Sequence, residues 1–226
     1  IEKTACDKVY IDNGPLHVTG KLHVKSGQLV LSSHAASNYA LVDGADLIIE
    51  NGGSVVVQPG AGIAIAGNYI DHNTTIDSAS CNGFSNSPDN TVEFYNTEYS
   101  PVAHFIGSAS NTSIGNVAFI NQDNNPFTLQ NNFATTNFDL GTNGKVILGN
   151  YDFTVNGLLN NFDSLRYFIT NGIGSLRLNN VGNSPVLFPV GSSSSYTPAT
   201  ITNNGMPDDF RVRVLDGMLS NGDAGI

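Results

Sequence analysis

Pairs of apolar residues separated by one intervening position recur along the first third of this chain, with a glycine or two between one pair and the next. The pairs are Leu16/Val18, Leu22/Val24, Leu29/Leu31, Leu47/Ile49, Val55/Val57 and Ile63/Ile65, and the gaps hold Gly20, Gly27, Gly44, Gly52, Gly53 and Gly60. Period-2 alternation over so few residues means short strands with one buried face, and the glycines supply the corners between them. No window here offers helical spacing over eleven residues or more. The economical way to bury such pairs is to coil the strands around a common lumen, which predicts an all-β, right-handed parallel β-helix, or β-solenoid. An antiparallel meander is the competing fold, but it calls for longer strands and regular Asn-Gly hairpin turns.

From Thr91 to Leu159 the grammar continues with aromatic partners: Val92/Phe94, Val117/Phe119, Phe127/Leu129, Phe138/Leu140, Val146/Leu148 and Phe153/Val155. Asparagines crowd the turns, as in Asn124-Asn125 and Asn131-Asn132, where they tolerate left-handed backbone and can stack between coils. The stretch 71–90 breaks the alternation and is expected to leave the solenoid surface. After Asp163 the runs lengthen: Leu176/Leu178, Val186/Phe188/Val190, Ala199/Ile201 and Phe210/Val212/Val214, spaced by Pro185, Pro189 and Asn203-Asn204-Gly205. These predict a division into a β-solenoid over 1–163 and a smaller antiparallel, sandwich-like or capping β-unit over 164–226. The start at Ile1 without a leader and the stop at Ile226 suggest a segment cut from a longer protein.

Charge narrows the partners. No lysine or arginine lies between Lys25 and Lys145, whereas ten Asp and Glu do, so the formal charge of −10 arises entirely in that stretch. Nucleic acid is a poor partner for such a surface, because binding it relies on cations displacing condensed counterions. No run of 18 apolar residues is present, so no membrane-inserted helix is expected. The two cysteines, Cys6 and Cys81, match no zinc or redox spacing. They read either as a disulfide tying the first strand to a later turn, favoured by the extracellular look of the composition, or as two independent buried thiols.

A resemblance is carried by Ile169-Thr170-Asn171-Gly172-Ile173-Gly174-Ser175-Leu176, Phe188-Pro189-Val190-Gly191, Ser195-Tyr196-Thr197-Pro198, Ile201-Thr202-Asn203 and Asp209-Phe210-Arg211-Val212-Arg213-Val214. Asn90-Thr91-Val92-Glu93-Phe94 and the run from Leu140 to Gly157 add to it. Over roughly residues 90 to 217 the chain resembles segments of the large repetitive surface proteins of Bacteroidetes, in which β-helical repeats precede an FPVG-type β unit. What the resemblance implies is export by the type IX secretion machinery, an extracellular location at the outer membrane surface, and a role in adhesion, gliding motility or matrix building. It assigns no catalytic residue. Partners would be surface glycans or other copies of the same protein, and Asp77-Ser78-Ala79 and Asp163-Ser164-Leu165 match the phylum's Asp-Ser-apolar O-glycosylation pattern, making Ser78 and Ser164 candidate sites.

The runner-up function is a carbohydrate-active β-helix enzyme, a polysaccharide lyase or glycosidase, or its accessory carbohydrate-binding region. Such chemistry needs carboxylates converging from neighbouring coils. The candidates are Asp71 with His72, Asp77, His104 and the pair Asp208-Asp209, each more simply read as polar surface, and the expectation is a non-catalytic chain without a cofactor. Calcium is the most plausible ion, and Asp43, Asp46, Asp71 and Asp77 are its best local candidates, although no Asp-rich calcium loop or nonapeptide repeat appears. His17 and His23 alternate with apolar residues, which places them outward on what read as two successive coils.

Overall fold

A computed structural model describes residues 6–12, 16–32, 39–42, 46–73, 81–96, 104–108, 113–121, 125–142, 144–216, 219–220 and 223–224, and all of the secondary structure in them is β. The strands wind into a β-solenoid of about six turns. The circuit starts with β1 (Lys8–Ile11) and β2 (Lys21–Val24), then β3 (Gly27–Leu31), β4 (Tyr39–Val42) and β5 (Asp46–Ile49), then β6 (Gly53–Val57), β7 (Gly62–Ile65) and β8 (Tyr69–Asp71). It continues through β9 (Gly83–Asn86), β10 (Thr91–Asn96), β11 (His104–Ser108), β12 (Ser113–Asn121), β13 (Phe127–Leu129), β14 (Phe133–Asp139) and β15 (Val146–Ile147). The later strands are β16 (Phe153–Val155), β17 (Leu159–Asn160), β18 (Phe168–Ile169), β19 (Leu176–Val181), β20 (Val186–Phe188), β21 (Val190–Gly191), β22 (Ala199–Ile201) and β23 (Asp208–Val212).

Three parallel sheets form the walls. Sheet A runs β1-β3-β6-β9, sheet B runs β4-β7-β10-β12-β14-β16-β19 with β17 also on β14, and sheet C runs β2-β5-β8-β11-β13-β15-β18-β21. The apolar pairs of the sequence are the lumen. In sheet B, Ile63, Val92, Val117, Phe138 and Leu159 stack in register, and beside them Ile65, Phe94 and Phe119. In sheet C, Phe127, Val146, Phe168 and Val190 do the same. Phe119, Phe138, Phe153 and Phe168 are fully enclosed, with ring centroids of neighbouring pairs 4.6–5.6 Å apart where they touch. At that spacing the rings contribute edge and offset contacts beyond the area they bury.

The corner into sheet A shows why glycine punctuates the repeat. Gly27 and Gly53 are register partners. Gly27 has φ +79°, and a Cβ on Gly53 would lie 2.5 Å from the Val24 carbonyl oxygen. Asparagines then stitch one turn to the next. Asn73 accepts from Gly52 N and donates to the carbonyls of Glu50 and Gly53, while Asn90 accepts from Gly60 N and donates to Gln58 O. Asn86, Asn132 and Asn171 accept from the amides of Gly115, Asp152 and Gly149. Gly52, Gly60, Gly149 and Asp152 lie at corners, where the strand ladder leaves backbone to be satisfied by side chains, and Gly115 lies within β12.

Two expectations are corrected. The solenoid does not end at Asp163, because β18, β19 and β21 extend sheets C and B in parallel to Gly191. Only the last elements turn antiparallel: β20 pairs with β22, and β23 lies antiparallel on β19 as a cap. The length of the runs after Asp163 suggested a separate unit, but their apolar residues take the same lumen columns as those before. Nor does the whole stretch 71–90 leave the solenoid, since Asp71 ends β8 and residues 83–86 are β9.

Candidate functional site

The outer face of sheet B carries a groove on the outside of the described solenoid. Residues lying between the lumen pairs point outward there and stack in columns. Glu93, Ala118, Asp139 and Asn160 form one, and Thr91, Asn116 and Asn137 its neighbour. A shallow groove of about 280 Å³ opens at Ala118, the smallest side chain of its column, and is lined by Thr91, Asn116, Asn137, Asp139, Leu158 and Asn160 among others.

Its shape follows from a break in the strand opposite β14. The first half of β14 pairs with β16 and the second with β17, so residues 156–158 bulge between them. The bulge throws Leu158 outward, 66% exposed, as one wall. Asn137 holds the bulge by accepting from Leu158 N at 2.8 Å and donating to Asn116 Oδ1 at 2.8 Å. Asp139 is fixed by Gly141 N at 2.6 Å and by the amide of Asn161, which lies 2.9 and 2.7 Å from its two oxygens. Glu93, two rungs from Asp139, is partly desolvated, and that burial raises its pKa above the ordinary carboxylate range. The groove combines neutral amides, one exposed apolar wall and the carboxylate of Asp139, with no cation among its lining residues, and Glu93 lies on the column beyond it.

The candidates named from the sequence are scattered. Asp71 occupies a lumen column, in register with Ile49, and is 2% exposed. Its carboxylate accepts from Asn73 N (2.9 Å), Asn73 Nδ2 (2.8 Å), Phe84 N (3.1 Å) and the Tyr69 hydroxyl (3.3 Å). Burial, then the adjacent Asp71 charge, push the Tyr69 phenol well above its ordinary pKa. Asp71 is therefore a structural acceptor inside the stack, and it shares no pocket with His72, which is exposed. Asp46 faces the opposite side of sheet C, accepting from Asn68 N and Nδ2 at 2.9 and 2.8 Å. Asp46 and Asp71 are thus on opposite faces of one sheet, and the other two calcium candidates, Asp43 and Asp77, lie outside the described residues, as does the glycosylation candidate Ser78. Among the described residues no three His, Cys, Asp or Glu side chains gather as metal ligands do.

Cys6 and Cys81 are joined as a disulfide, Cα atoms 5.6 Å apart, between the approaches to β1 and β9, the two outer strands of sheet A. Asp209 pairs with Arg177 at 2.5 Å and with Asn180 N, and the guanidinium lowers its pKa; with Asp208 it belongs to the cap. Asp163 accepts from Leu165 N and pairs with Arg166, which holds its pKa down, in a turn that leaves Ser164 exposed. His17 and His23 belong to the same turn rather than successive ones, and His23 Nε2 meets Glu50 Oε1 at 2.8 Å. The strand of His104 pairs with β13 and β8, which fixes its backbone only.

The groove residues escaped sequence reasoning although their signal was present. Ala118 and Asp139 are the middle residues of Val117/Phe119 and Phe138/Leu140, as Glu93 one rung beyond is of Val92/Phe94; what was missing was the register that stacks them. The fold defines a β-solenoid protein. No known family matches the chain, and no characterised protein or solved structure is similar to it.

Proposed function

We propose that this chain is a non-catalytic structural and adhesive segment of a bacterial cell-surface protein, exported by the type IX route, whose sheet B groove contacts neutral glycans. The observation that carries the reading is the groove itself: amides of Asn116, Asn137 and Asn160 beside the exposed Leu158 wall, with no lysine or arginine among the residues that line it. Amides match sugar hydroxyls, an apolar wall matches the C–H face of a pyranose, and the absence of cations disfavours acidic polysaccharide. The solenoid supplies stiffness, because each turn is bonded to the next by both strand ladders and asparagine side chains. The sequence resemblance supports the surface location.

One observation favours a second reading, a glycosidase. Glu93 and Asp139 share a column with only Ala118 between them, a backbone separation of about 9.6 Å at ~4.8 Å per rung, and Glu93 holds its proton above the usual range. Two carboxylates on one outward column, one of them with a raised pKa, supply the acid and base that an inverting hydrolase uses. A glycan array decides, run with the chain and with Ala118→Tyr, which fills the groove without entering the lumen. Binding of neutral glycans lost in the variant supports the adhesive reading, and silence with the unaltered chain refutes it. Release of reducing ends from a bound glycan, abolished by Glu93→Gln, transfers the groove to the hydrolase.

A further inference from the structure

Asparagine followed by glycine is a chemically fragile unit, because the glycine nitrogen can close on the asparagine side-chain carbonyl with no β-carbon in its way. Five such pairs lie wholly within the described residues: Asn51-Gly52, Asn82-Gly83, Asn156-Gly157, Asn171-Gly172 and Asn204-Gly205. In four of them the attacking N–H is already given away. Gly52 N donates to Asn73 Oδ1 at 3.2 Å, Gly157 N to Thr136 O at 2.7 Å and Gly205 N to Asn203 Oδ1 at 2.9 Å. Gly83 is in register with Ser54, and Ser87 N, just beyond β9, donates to Val57 O. The alternation of a parallel ladder gives Gly83 N to β6 as well.

Asn171-Gly172 differs at both atoms that react. The Gly172 amide has no acceptor among the described residues. The Asn171 Oδ1 accepts from Gly149 N at 3.0 Å, so a backbone donor already sits where negative charge develops when that carbonyl is attacked. Asn171 is exposed, which gives water a way in and ammonia a way out. Asn156 is the contrary case: its Nδ2 donates to Thr135 O and its Oδ1 accepts from Asn179 Nδ2, while its glycine nitrogen is held as well.

We propose that Asn171 is a site of self-modification, cyclising on Gly172 and opening to isoaspartate, and that the product releases the cap. The Gly172 N–H gives its proton to solvent, the nitrogen bonds to Asn171 Cγ, and Nδ2 leaves as ammonia, which closes a succinimide. Water then opens the ring at either carbonyl, and nothing is oxidised or reduced. Opening at the backbone carbonyl routes the main chain through Cγ and lengthens it by one methylene. The anchor of the cap lies beside this corner. Thr170 Oγ1 accepts from Val214 N at 2.9 Å and donates to Val214 O at 3.0 Å, and Arg213 Nη1 is 3.5 Å from Gly172 O. A lengthened corner draws Thr170 from the place where it holds the chain that follows β23. The inference is independent of where the chain resides and of what its groove binds.

Peptide mapping of the 226-residue chain, aged in mildly alkaline buffer and scored with an isoaspartyl methyltransferase, tests it. In the folded chain Asn171 converts about fivefold or more faster than the other four asparagines, the effect of one hydrogen bond on a reacting group. In concentrated urea the five rates converge. Asn203→Ala, which frees Gly205 N, raises conversion of Asn204 about fivefold and leaves Asn171 as it was. Amide exchange at Val214 quickens as the parent ages and stays constant in Asn171→Gln, whose longer side chain cyclises far more slowly. Four results overturn the proposal: an Asn171 that keeps its amide as long as the others, five rates that differ as much in urea, an Asn204 unmoved by Asn203→Ala, or Val214 protection that survives conversion.

Discussion

Replacing Asp71 with alanine separates a structural acceptor from a surface acid more cleanly than any other single change. The carboxylate takes four hydrogen bonds from inside the stack, two of them from the backbone amides of Asn73 and Phe84. With the acceptor gone, those two amides and the Tyr69 hydroxyl stay buried, and a stranded buried donor costs about 1–3 kcal/mol. Relief from burying the charge itself offsets part of this, so the net loss is about 4 kcal/mol. For a chain of this size that corresponds to a fall in Tm of roughly 8–16 °C. If the solenoid opens turn by turn, the same energy appears locally, and the Phe84 amide exchanges with solvent about a thousandfold faster. Hydrogen exchange read by mass spectrometry on peptides spanning β8 and β9, beside a thermal melt, measures both. An Asp71→Ala protein with parental Tm and unchanged protection at Phe84 refutes the reasoning, and returns Asp71 to the surface.

The remaining expectations are more local. Cys6→Ser with Cys81→Ser releases a crosslink 75 residues apart in sequence, worth about 4.5 kcal/mol of chain entropy, and urea melts with and without reductant should reproduce the loss in the parent but not in the double variant. Glu93 has a raised folded pKa, so the stability it contributes is present below its unfolded value and lost as pH rises through the folded one. Glu93→Gln should therefore exceed the parent in stability at neutral pH, with the advantage vanishing in acid. Asp209 has the opposite sign, its pKa lowered by Arg177, so the stability it contributes is present above the ordinary carboxylate pKa and lost as pH falls. In Asp209→Asn the exchange protection of β23 should become less dependent on acid pH than in the parent.

The lumen was legible in the sequence because it is written in short-range pattern: each apolar pair flanked by a glycine marks a strand of one buried face, and every such pair from Val92/Phe94 to Phe153/Val155 lies inside. The cap was partly legible, since the longer runs of β20, β22 and β23 do pair antiparallel. Leu176 and Leu178 misled, because parallel and antiparallel strands share the same alternation, and only the position of the preceding turn decides which neighbour they meet. Asp71 misled for a different reason. A charged residue between turn glycines reads as exposed, and of the four donors that make its burial tolerable only the Tyr69 hydroxyl belongs to its own strand, the other three coming from Asn73 and Phe84. The groove was invisible for want of register: Glu93 and Asp139 are 46 positions apart (139 minus 93) yet two rungs apart in space.

Register is accordingly what the most direct measurement must read. Positions 41, 64, 93, 118, 139 and 160 are successive register partners in sheet B, so backbone positions 41 and 160 lie five rungs apart, about 24 Å. Spin labels at Leu41 and Asn160, with a second pair at Glu93 and Asn160, measured by pulsed dipolar spectroscopy, should give distances differing by about 10 Å, two rungs at ~4.8 Å each. Equal distances, or a Leu41–Asn160 separation of the order of a sandwich's full length, would contradict the axial stack from which the lumen and the groove both follow.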